Sequence, residues 1–395
     1  MSNDTKWILP EGIEELSPQR AAQVESARRQ LLDLYRLWGY ELVMPPFVEY
    51  LDSLLTGTGE DLELKTFKLI DQMSGRMMGV RADMTPQVAR IDAHLLKREE
   101  PTRLCYVGTV LQTLPDSHGG TRAPLQVGAE LYGHAGIESD LEVVKLAIES
   151  LQQMGLSELT LDIGHVGIYR ALIEQAGLSR DQELQLFERI QRKSLHEIKQ
   201  LFSEWNFNSD IAKMLMALVG LAGDESILAD AADVLKGATP EVHEALEALQ
   251  KIASGLSSID GVKLHFDLTE LRGYHYHTGL VFAAYVMGES AAVAQGGRYD
   301  EIGKVFGHAR PATGFTIELK RVLMLSENKI AEKVDTILAP AMDDAALIAK
   351  VIELRASGHR IIQALPGQSG DAVTMGCNQI LEMDADGWKV VALSK

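Results

Sequence analysis

Four short segments gather charged, hydroxyl and glycine residues inside otherwise apolar stretches, as a ligand site built on a sheet requires. In Val80-Arg-Ala-Asp-Met-Thr-Pro-Gln-Val-Ala-Arg90, the side chains of Arg81, Asp83, Thr85 and Arg90 stand where a strand should end and a helix begin near Pro86. Thr85 suits an N-cap, whose oxygen accepts from a first-turn N–H, as well as it suits a ligand contact; Asp83 reads more readily as a ligand group. In Leu125-Gln-Val-Gly-Ala-Glu-Leu-Tyr132, Gln126 and Glu130 share one face, because strand side chains alternate with a period of two. An ionised carboxylate only accepts and attracts cationic donors, so this pair can hold an amino group or an imidazole N–H. The alternative is the polar face of an edge strand. Arg272-Gly-Tyr-His-Tyr-His277 offers the Arg272 fork to a carboxylate. His275 and His277 have spacing open to a metal, but no third and fourth ligand accompanies them and no metal site is expected. In Gln295-Gly-Gly-Arg-Tyr-Asp300 the paired glycines either form a bend or let a backbone approach a ligand closely.

The elements that must position these residues follow from periodicity. Ser17-Pro18 reads as an N-cap with proline at the first helical position, and Val24, Ala27, Leu31, Leu34, Tyr35 and Trp38 recur at helical spacing until Gly39. Strands are expected at 40–44, at 67–71 and 76–81 around a Ser74-Gly75 turn, and at 104–111, 125–132 and 159–163, with a helix over 141–154. Residues 168–255 are almost purely helical in pattern and predict an inserted helical domain. Strand character returns at 262–268, 280–287 and 291–294, the last two joined by a Gly288-Glu289 turn, and a helix is expected over 315–325. The remainder reads as a strand at 335–339, a helix at 344–356 and strands near 360–365, 379–382 and 389–393. Runs of strands framed by helices favour an α+β fold with an antiparallel sheet. The expected organisation is a core over 1–329, interrupted by 168–255, and a small α/β module over 330–395.

Composition narrows the function classes. The 395 residues, 46% hydrophobic and 24% charged, describe an ordinary globular protein of two or three domains. No apolar run reaches the roughly 18 to 20 residues of a membrane span. The polar N-terminus, carrying Asp4, lacks the plan of a signal peptide, so a cytoplasmic address without membrane contact is expected. Cys105 and Cys377 are too few and too far apart for a disulfide framework or a zinc site. A formal charge of -18 and the lack of a Lys/Arg run argue against nucleic acid, whose binding needs cations to displace counterions.

In their order along the chain, the segments resemble histidyl-tRNA synthetase, a class II aminoacyl-tRNA synthetase. Gly39-Tyr-Glu-Leu-Val-Met-Pro-Pro-Phe-Val-Glu49 is similar to motif 1, while Arg81-Ala-Asp-Met-Thr85 and Arg103-Leu-Cys-Tyr-Val-Gly108 are similar to the motif 2 region. Arg272–His277 and Ala294-Gln-Gly-Gly-Arg-Tyr-Asp300 are similar to the two histidine-specific signatures, and Gly314-Phe-Thr-Ile-Glu-Leu-Lys-Arg321 to motif 3. The likeness spans residues 6–325 and implies a class II synthetase-like antiparallel sheet with flanking helices. It also implies a histidine pocket: Asp83, Thr85 and Gln126 at the amino acid's backbone end, Glu130 at its imidazole, Arg272 at its carboxylate, with Tyr276 and His277 completing it. His277 stands where the synthetase has tyrosine.

The departures fall on the ATP side. Where the synthetase has Phe-Arg followed by Glu, for the α-phosphate and the adenine, this chain has Leu111-Gln112-Thr113-Leu114. Losing a preorganised donor to developing charge costs roughly 100- to 1000-fold in rate. The usual Gly-Leu-Glu-Arg of motif 3 is here Glu318-Leu-Lys-Arg321, whose Glu318 would repel a triphosphate. A histidine pocket without its ATP companions, together with Gly57-Thr-Gly-Glu-Asp61, Lys65–Asp71 and Arg81–Asp92, resembles the regulatory subunit family of ATP phosphoribosyltransferase. The acidic module after Lys329, shorter than an anticodon-binding domain, agrees with that likeness. It implies a chain with no active site or cofactor of its own and no tRNA. Its partners would be the short catalytic subunit in a hetero-octamer, a second copy of itself in a dimer, and L-histidine as feedback effector at the first step of histidine biosynthesis. The competing expectations are an active histidine-tRNA ligase, motivated by Arg272, Arg321 and Gly296-Gly297-Arg298, and a scaffold that no longer binds histidine.

Overall fold

A computed structural model describes residues 7–57, 60–115, 120–207, 209–274, 276–326 and 335–393. The chain divides into two compact units, Met1–Lys329 and Ile330–Lys395. His275, and Thr58 and Gly59 of the 57–61 segment, lie outside the described residues.

In the first unit the strands are β1 (Glu41–Leu42), β2 (Val48–Tyr50), β3 (Phe67–Ile70), β4 (Met77–Val80), β5 (Thr102–Thr109), β6 (Leu125–Tyr132), β7 (Leu159–His165), β8 (Ala222–Gly223), β9 (Val262–Asp267), β10 (Leu280–Tyr285), β11 (Ala294–Arg298) and β12 (Ala312–Glu318). They form a nine-stranded sheet of order β1-β5-β6-β12-β11-β10-β7-β9-β8 and a three-stranded sheet of order β2-β4-β3. The large sheet is antiparallel except at two pairs, β1 with β5 and β7 with β9, which run parallel. It is α+β, as expected, but mixed rather than purely antiparallel.

Two helices cover one face. The first, Pro18–Leu37, starts where the Ser17 hydroxyl accepts from Arg20 N and stops before Gly39, whose φ of 84° suits a residue without Cβ. Its buried stripe of Ala27, Leu31, Leu34 and Tyr35 meets the sheet, Tyr35 standing edge-on to Phe315 of β12 at 6.1 Å. The second, Ile137–Gln153, packs across β6, β10, β11 and β12. Alternation then fixes what the opposite face carries. In the pairing of β6 with β5 and β12, Glu130 lies opposite Leu104 and Gly314, Gly128 opposite Tyr106 and Thr316, and Gln126 opposite Gly108 and Glu318.

Several expectations need correction. β6 sits in the middle of the sheet, so Gln126 and Glu130 are not the polar face of an edge strand. Gly296 and Gly297 lie inside β11 rather than at a bend; a Cβ on Gly296 would overlap the Gly314 carbonyl of the neighbouring strand. The helix expected over 315–325 is a strand up to Glu318 and a helix only from Leu319 to Leu325. β10 and β11 pair from Ala284 and Ala294 inward, so their connection is longer than a two-residue turn. Among the described residues, the elements from Val166 to Leu256 are helices apart from β8, which extends the large sheet by pairing with β9.

The second unit has β13 (Thr336–Ala339), β14 (Arg360–Gln363), β15 (Gln379–Asp384) and β16 (Gly387–Ala392) in the order β14-β13-β15-β16. Its helix, Ala345–Ala356, begins where Asp344 accepts from Leu347 N at 2.8 Å, and buries Leu347, Val351 and Leu354 against Ile337, Ala339, Ile361 and Leu381. Among the described residues, no helix is long and apolar enough to cross a membrane.

Candidate functional site

An open cavity of about 1190 Å³ lies over the polar face of the large sheet. Glu130 forms its floor. The carboxylate is buried, with Oε1 accepting from Thr85 Oγ1 and Tyr106 OH, both at 3.0 Å, and Oε2 accepting from Tyr299 OH. Neighbouring strands make room for these side chains by carrying glycine. A Cβ on Gly314 would overlap Glu130 Oε2, and one on Gly128 would overlap the Tyr106 ring. Loss of hydration pushes the Glu130 carboxyl from 4.5 to about 8, even though the donors from Tyr299, Tyr106 and Thr85 act in the other direction. Thr85 is therefore no N-cap. It stands inside the helix Thr85–Arg90, after a capping position at Met84 that has no side-chain cap, and spends its hydroxyl on Glu130.

Beside this floor, Asp83 Oδ1 and Gln126 Oε1 converge on the same N–H, that of Met84, at 2.8 and 3.2 Å. The loop between β9 and β10 supplies the opposite wall. Arg272 reaches Tyr285 OH at 2.8 Å and Glu270 at 3.5 Å, with its side chain 41% exposed. Tyr276 stacks on Tyr299 with ring centroids 5.0 Å apart, and its hydroxyl is buried without a partner among the described residues. Burial lowers His277 to about 4, so the ring is neutral near pH 7. Its Nδ1 lies 3.1 Å from the Arg272 carbonyl, an acceptor, and therefore carries the proton; Nε2 is left as an acceptor beside Gly297. All seven residues singled out from the sequence, Asp83, Thr85, Gln126, Glu130, Arg272, Tyr276 and His277, line this one cavity. A buried carboxyl, a neutral imidazole, stacked phenols and an arginine fork are groups that suit a small zwitterion bearing a ring N–H.

The far side of the cavity carries Lys65 and Lys320, the latter paired with Glu14 at 3.0 Å. Gln112 is buried and donates to the Ala82 carbonyl, while Leu114 is 67% exposed. Arg321 pairs with Glu289 at 2.8 Å. Arg298 turns to the other face of the sheet, where it forms a buried pair with Asp140 at 3.0 Å and holds the His134 and Gly136 carbonyls. Glu318 lines the cavity and also serves the fold. Its carboxylate accepts from Arg321 N at 2.6 Å and Leu125 N at 3.2 Å, capping the helix Leu319–Leu325. Among the described residues, no group of three or more His, Cys, Asp or Glu could hold a metal ion.

Sequence reasoning left out Tyr106, Tyr299 and Thr316, whose hydroxyls build the Glu130 network. Tyr106 and Tyr299 lie inside segments singled out for other residues. A strict period-two reading of 103–108 and 294–300 would have flagged them, but only knowledge of which strands pair could aim them at Glu130.

Two family descriptions match this chain: histidyl-tRNA synthetase over residues 12–322, and the ATP phosphoribosyltransferase subunit HisZ C-terminal domain over residues 334–391. The chain is 55% identical over 386 residues to an ATP phosphoribosyltransferase regulatory subunit of Thioalkalivibrio sulfidiphilus, covering 98% of each. It is 50% identical over 396 residues to one of Pseudomonas syringae pv. tomato, covering 100% of each. Among solved structures, an ATP phosphoribosyltransferase regulatory subunit/histidyl-tRNA synthetase from Bacillus halodurans superposes with a TM-score of 0.82 at 27% identity, covering 95% of this chain and 97% of that one. Histidyl-tRNA synthetase from Nostoc sp. PCC 7120 superposes with a TM-score of 0.78 at 17% identity, covering 98% and 97%, a likeness of fold alone.

Proposed function

The chain belongs to the ATP phosphoribosyltransferase regulatory subunit family, and from that premise we propose that it senses L-histidine in the cavity over Glu130 and passes its occupancy to a catalytic partner. It is a non-catalytic subunit with a regulatory role in histidine biosynthesis. The partner in this reading is the short-form ATP phosphoribosyltransferase catalytic subunit, joined in a cytoplasmic hetero-octamer that contains dimers of this chain. Neither tRNA nor a membrane takes part.

One observation carries the histidine reading: a buried carboxyl at the floor of a cavity that gathers six further groups suited to an amino acid. A Glu130 oxygen accepts the imidazole N–H, a contact that favours the ionised form of this carboxyl, and Thr85 with Tyr106 and Tyr299 fixes its orientation. Asp83 and Gln126 face the amino group, Arg272 takes the carboxylate, and Tyr276 and His277 close over the ring. The triphosphate side offers Gln112, which donates inward, and Arg321, which is tied to Glu289, so the bound amino acid is held and not activated. Regulation follows from linkage. A ligand that favours one conformation of this subunit shifts the population its partner meets, and the partner's ligands change histidine affinity by the same factor.

The test is turnover of a short-form catalytic subunit with and without this protein and histidine. Stimulation by the protein, reversed by histidine, is expected; Glu130→Ala should keep the stimulation and lose the reversal. A stable complex without stimulation refutes the proposal. Histidine-dependent exchange of pyrophosphate into ATP should be absent, and its appearance would restore the ligase reading.

A further inference from the structure

The loop that carries Arg272, Tyr276 and His277 is held from behind by the helical insertion. From the helix Val166–Ala176, Arg170 Nη2 donates to the carbonyls of Tyr274 and His277 at 3.1 and 3.0 Å, and its guanidinium carbon lies 5.3 Å from the centre of the Tyr274 ring. From the helix Arg180–Gln191, Glu183 Oε1 accepts from Tyr274 OH at 3.0 Å. Tyr274 is buried between Tyr169 and Phe187, with ring centroids 5.4 and 5.1 Å away. Just past that helix, Lys193 takes a left-handed φ of 53°, uncommon for a residue with a side chain, and its Nζ reaches Asp267 at 2.6 Å. Asp267 in turn accepts from the N–H and hydroxyl of Thr269 at 2.8 and 2.6 Å at the root of the loop. Arg170, Glu183, Phe187 and Lys193 do not line the cavity, whereas Glu270, Arg272, Gly273, Tyr276 and His277 do.

We infer that Arg170 and Glu183 are positioning residues for the ligand loop, clamping Tyr274 so that the inserted helices and the cavity's occupancy are coupled. The coupling to histidine rests on the reading given under Proposed function; the clamp itself does not. Two backbone carbonyls held by one guanidinium, and one phenol held by a carboxylate, fix the loop at its middle, where the ligand groups on either side depend on it. A hydrogen bond to a charged acceptor is among the stronger ones, so removing it should loosen the loop without opening the core beneath.

Amide hydrogen exchange on the full-length chain decides the clamp. Glu183→Ala should speed exchange across residues 268–279 by about 10-fold, with global stability lowered by no more than the same factor. Glu183→Gln, whose carbonyl still accepts the phenol proton, should restore most of the protection. If Glu183→Ala does not fold, Tyr274→Phe removes the same bond and supplies the comparison. By calorimetry, Glu183→Ala should weaken histidine binding by a similar factor and Glu183→Gln should recover it; histidine should also slow exchange in the helix Arg180–Gln191. Equal exchange of residues 268–279 in wild type and Glu183→Ala, or no difference between the Ala and Gln variants, overturns the inference. If the wild-type protein takes up no histidine, the functional proposal fails, and loop exchange still decides the clamp.

Discussion

Replacing Glu130 with glutamine should make the protein's stability less dependent on pH, and the structure sets the window. Burial raises this carboxyl from 4.5 to about 8 despite three hydroxyl donors. In the unfolded chain it loses its proton near the lower value, and in the folded chain near the higher one. Between the two, the unfolded state binds fewer protons, so each unit of rising pH favours unfolding by about 1.4 kcal/mol. The effect is absent below the unfolded value and complete above the folded one, amounting to about 5 kcal/mol. Glutamine keeps an acceptor for the phenols but cannot ionise, and the amide's misplaced donor adds a cost that does not vary with pH. Urea unfolding of both proteins from pH 5 to 9 gives the assay. The stability of Glu130→Gln relative to wild type should climb through pH 8 and then level off. Stepwise unfolding of the second unit is common to both proteins and cancels in the difference. A difference constant to within about 1 kcal/mol would mean that the carboxyl ionises normally, and the desolvation argument for this site would fail.

Three further outcomes follow from the same geometry. Gly314→Ala puts a methyl into Glu130 Oε2 and 2.8 Å from the Ala129 carbonyl; it should cost about 1 to 3 kcal/mol in urea unfolding and abolish the histidine heat. Arg298→Leu leaves Asp140 buried without its cation and should cost about 3 to 5 kcal/mol; adding Asp140→Leu should recover part of the loss, and an additive double variant would refute the pair. Glu318→Ala removes a helix cap worth about 1 kcal/mol and should leave ATP uptake undetectable by calorimetry, whereas a gain of ATP affinity would revive the repulsion reading.

The residue types at the site were legible in the sequence because they break local pattern. A carboxylate and an amide at i and i+4 in an apolar strand, or an arginine and histidines before another, announce themselves without a structure. What could not be read was their company. Tyr106 and Tyr299 reach Glu130 only because β5 pairs with β6 and because Tyr299 follows β11, which is separated from β6 by β12. Such adjacency is a long-range property that no period reveals. The same blindness made β6 resemble an edge strand. Local pattern also failed at 315–325, where Phe315 and Ile317 face the covering helices while Thr316 and Glu318 face the cavity side. That alternation is the strand signal, but it is short and runs straight into a real helix that Glu318 itself caps.

Glu318 shows why a departure from a family pattern must be placed before it is interpreted. In sequence it is a negative charge where a triphosphate would lie, and electrostatic exclusion is the natural reading. In the structure both of its oxygens accept backbone N–H groups, so much of its charge is already answered by donors that the fold needs in any case. Two further residues bear on phosphate binding: Gln112 has no charge to offer and its amide donates to a carbonyl, while Arg321 has a carboxylate partner in Glu289. Substituting Glu318 alone leaves Gln112 uncharged and Arg321 paired with Glu289, so it should not by itself restore a phosphate site. Restoring one would take an arginine at 112 together with release of Arg321 from Glu289, and the buried position of Gln112 means that even this pair must displace packed neighbours before it can meet a ligand.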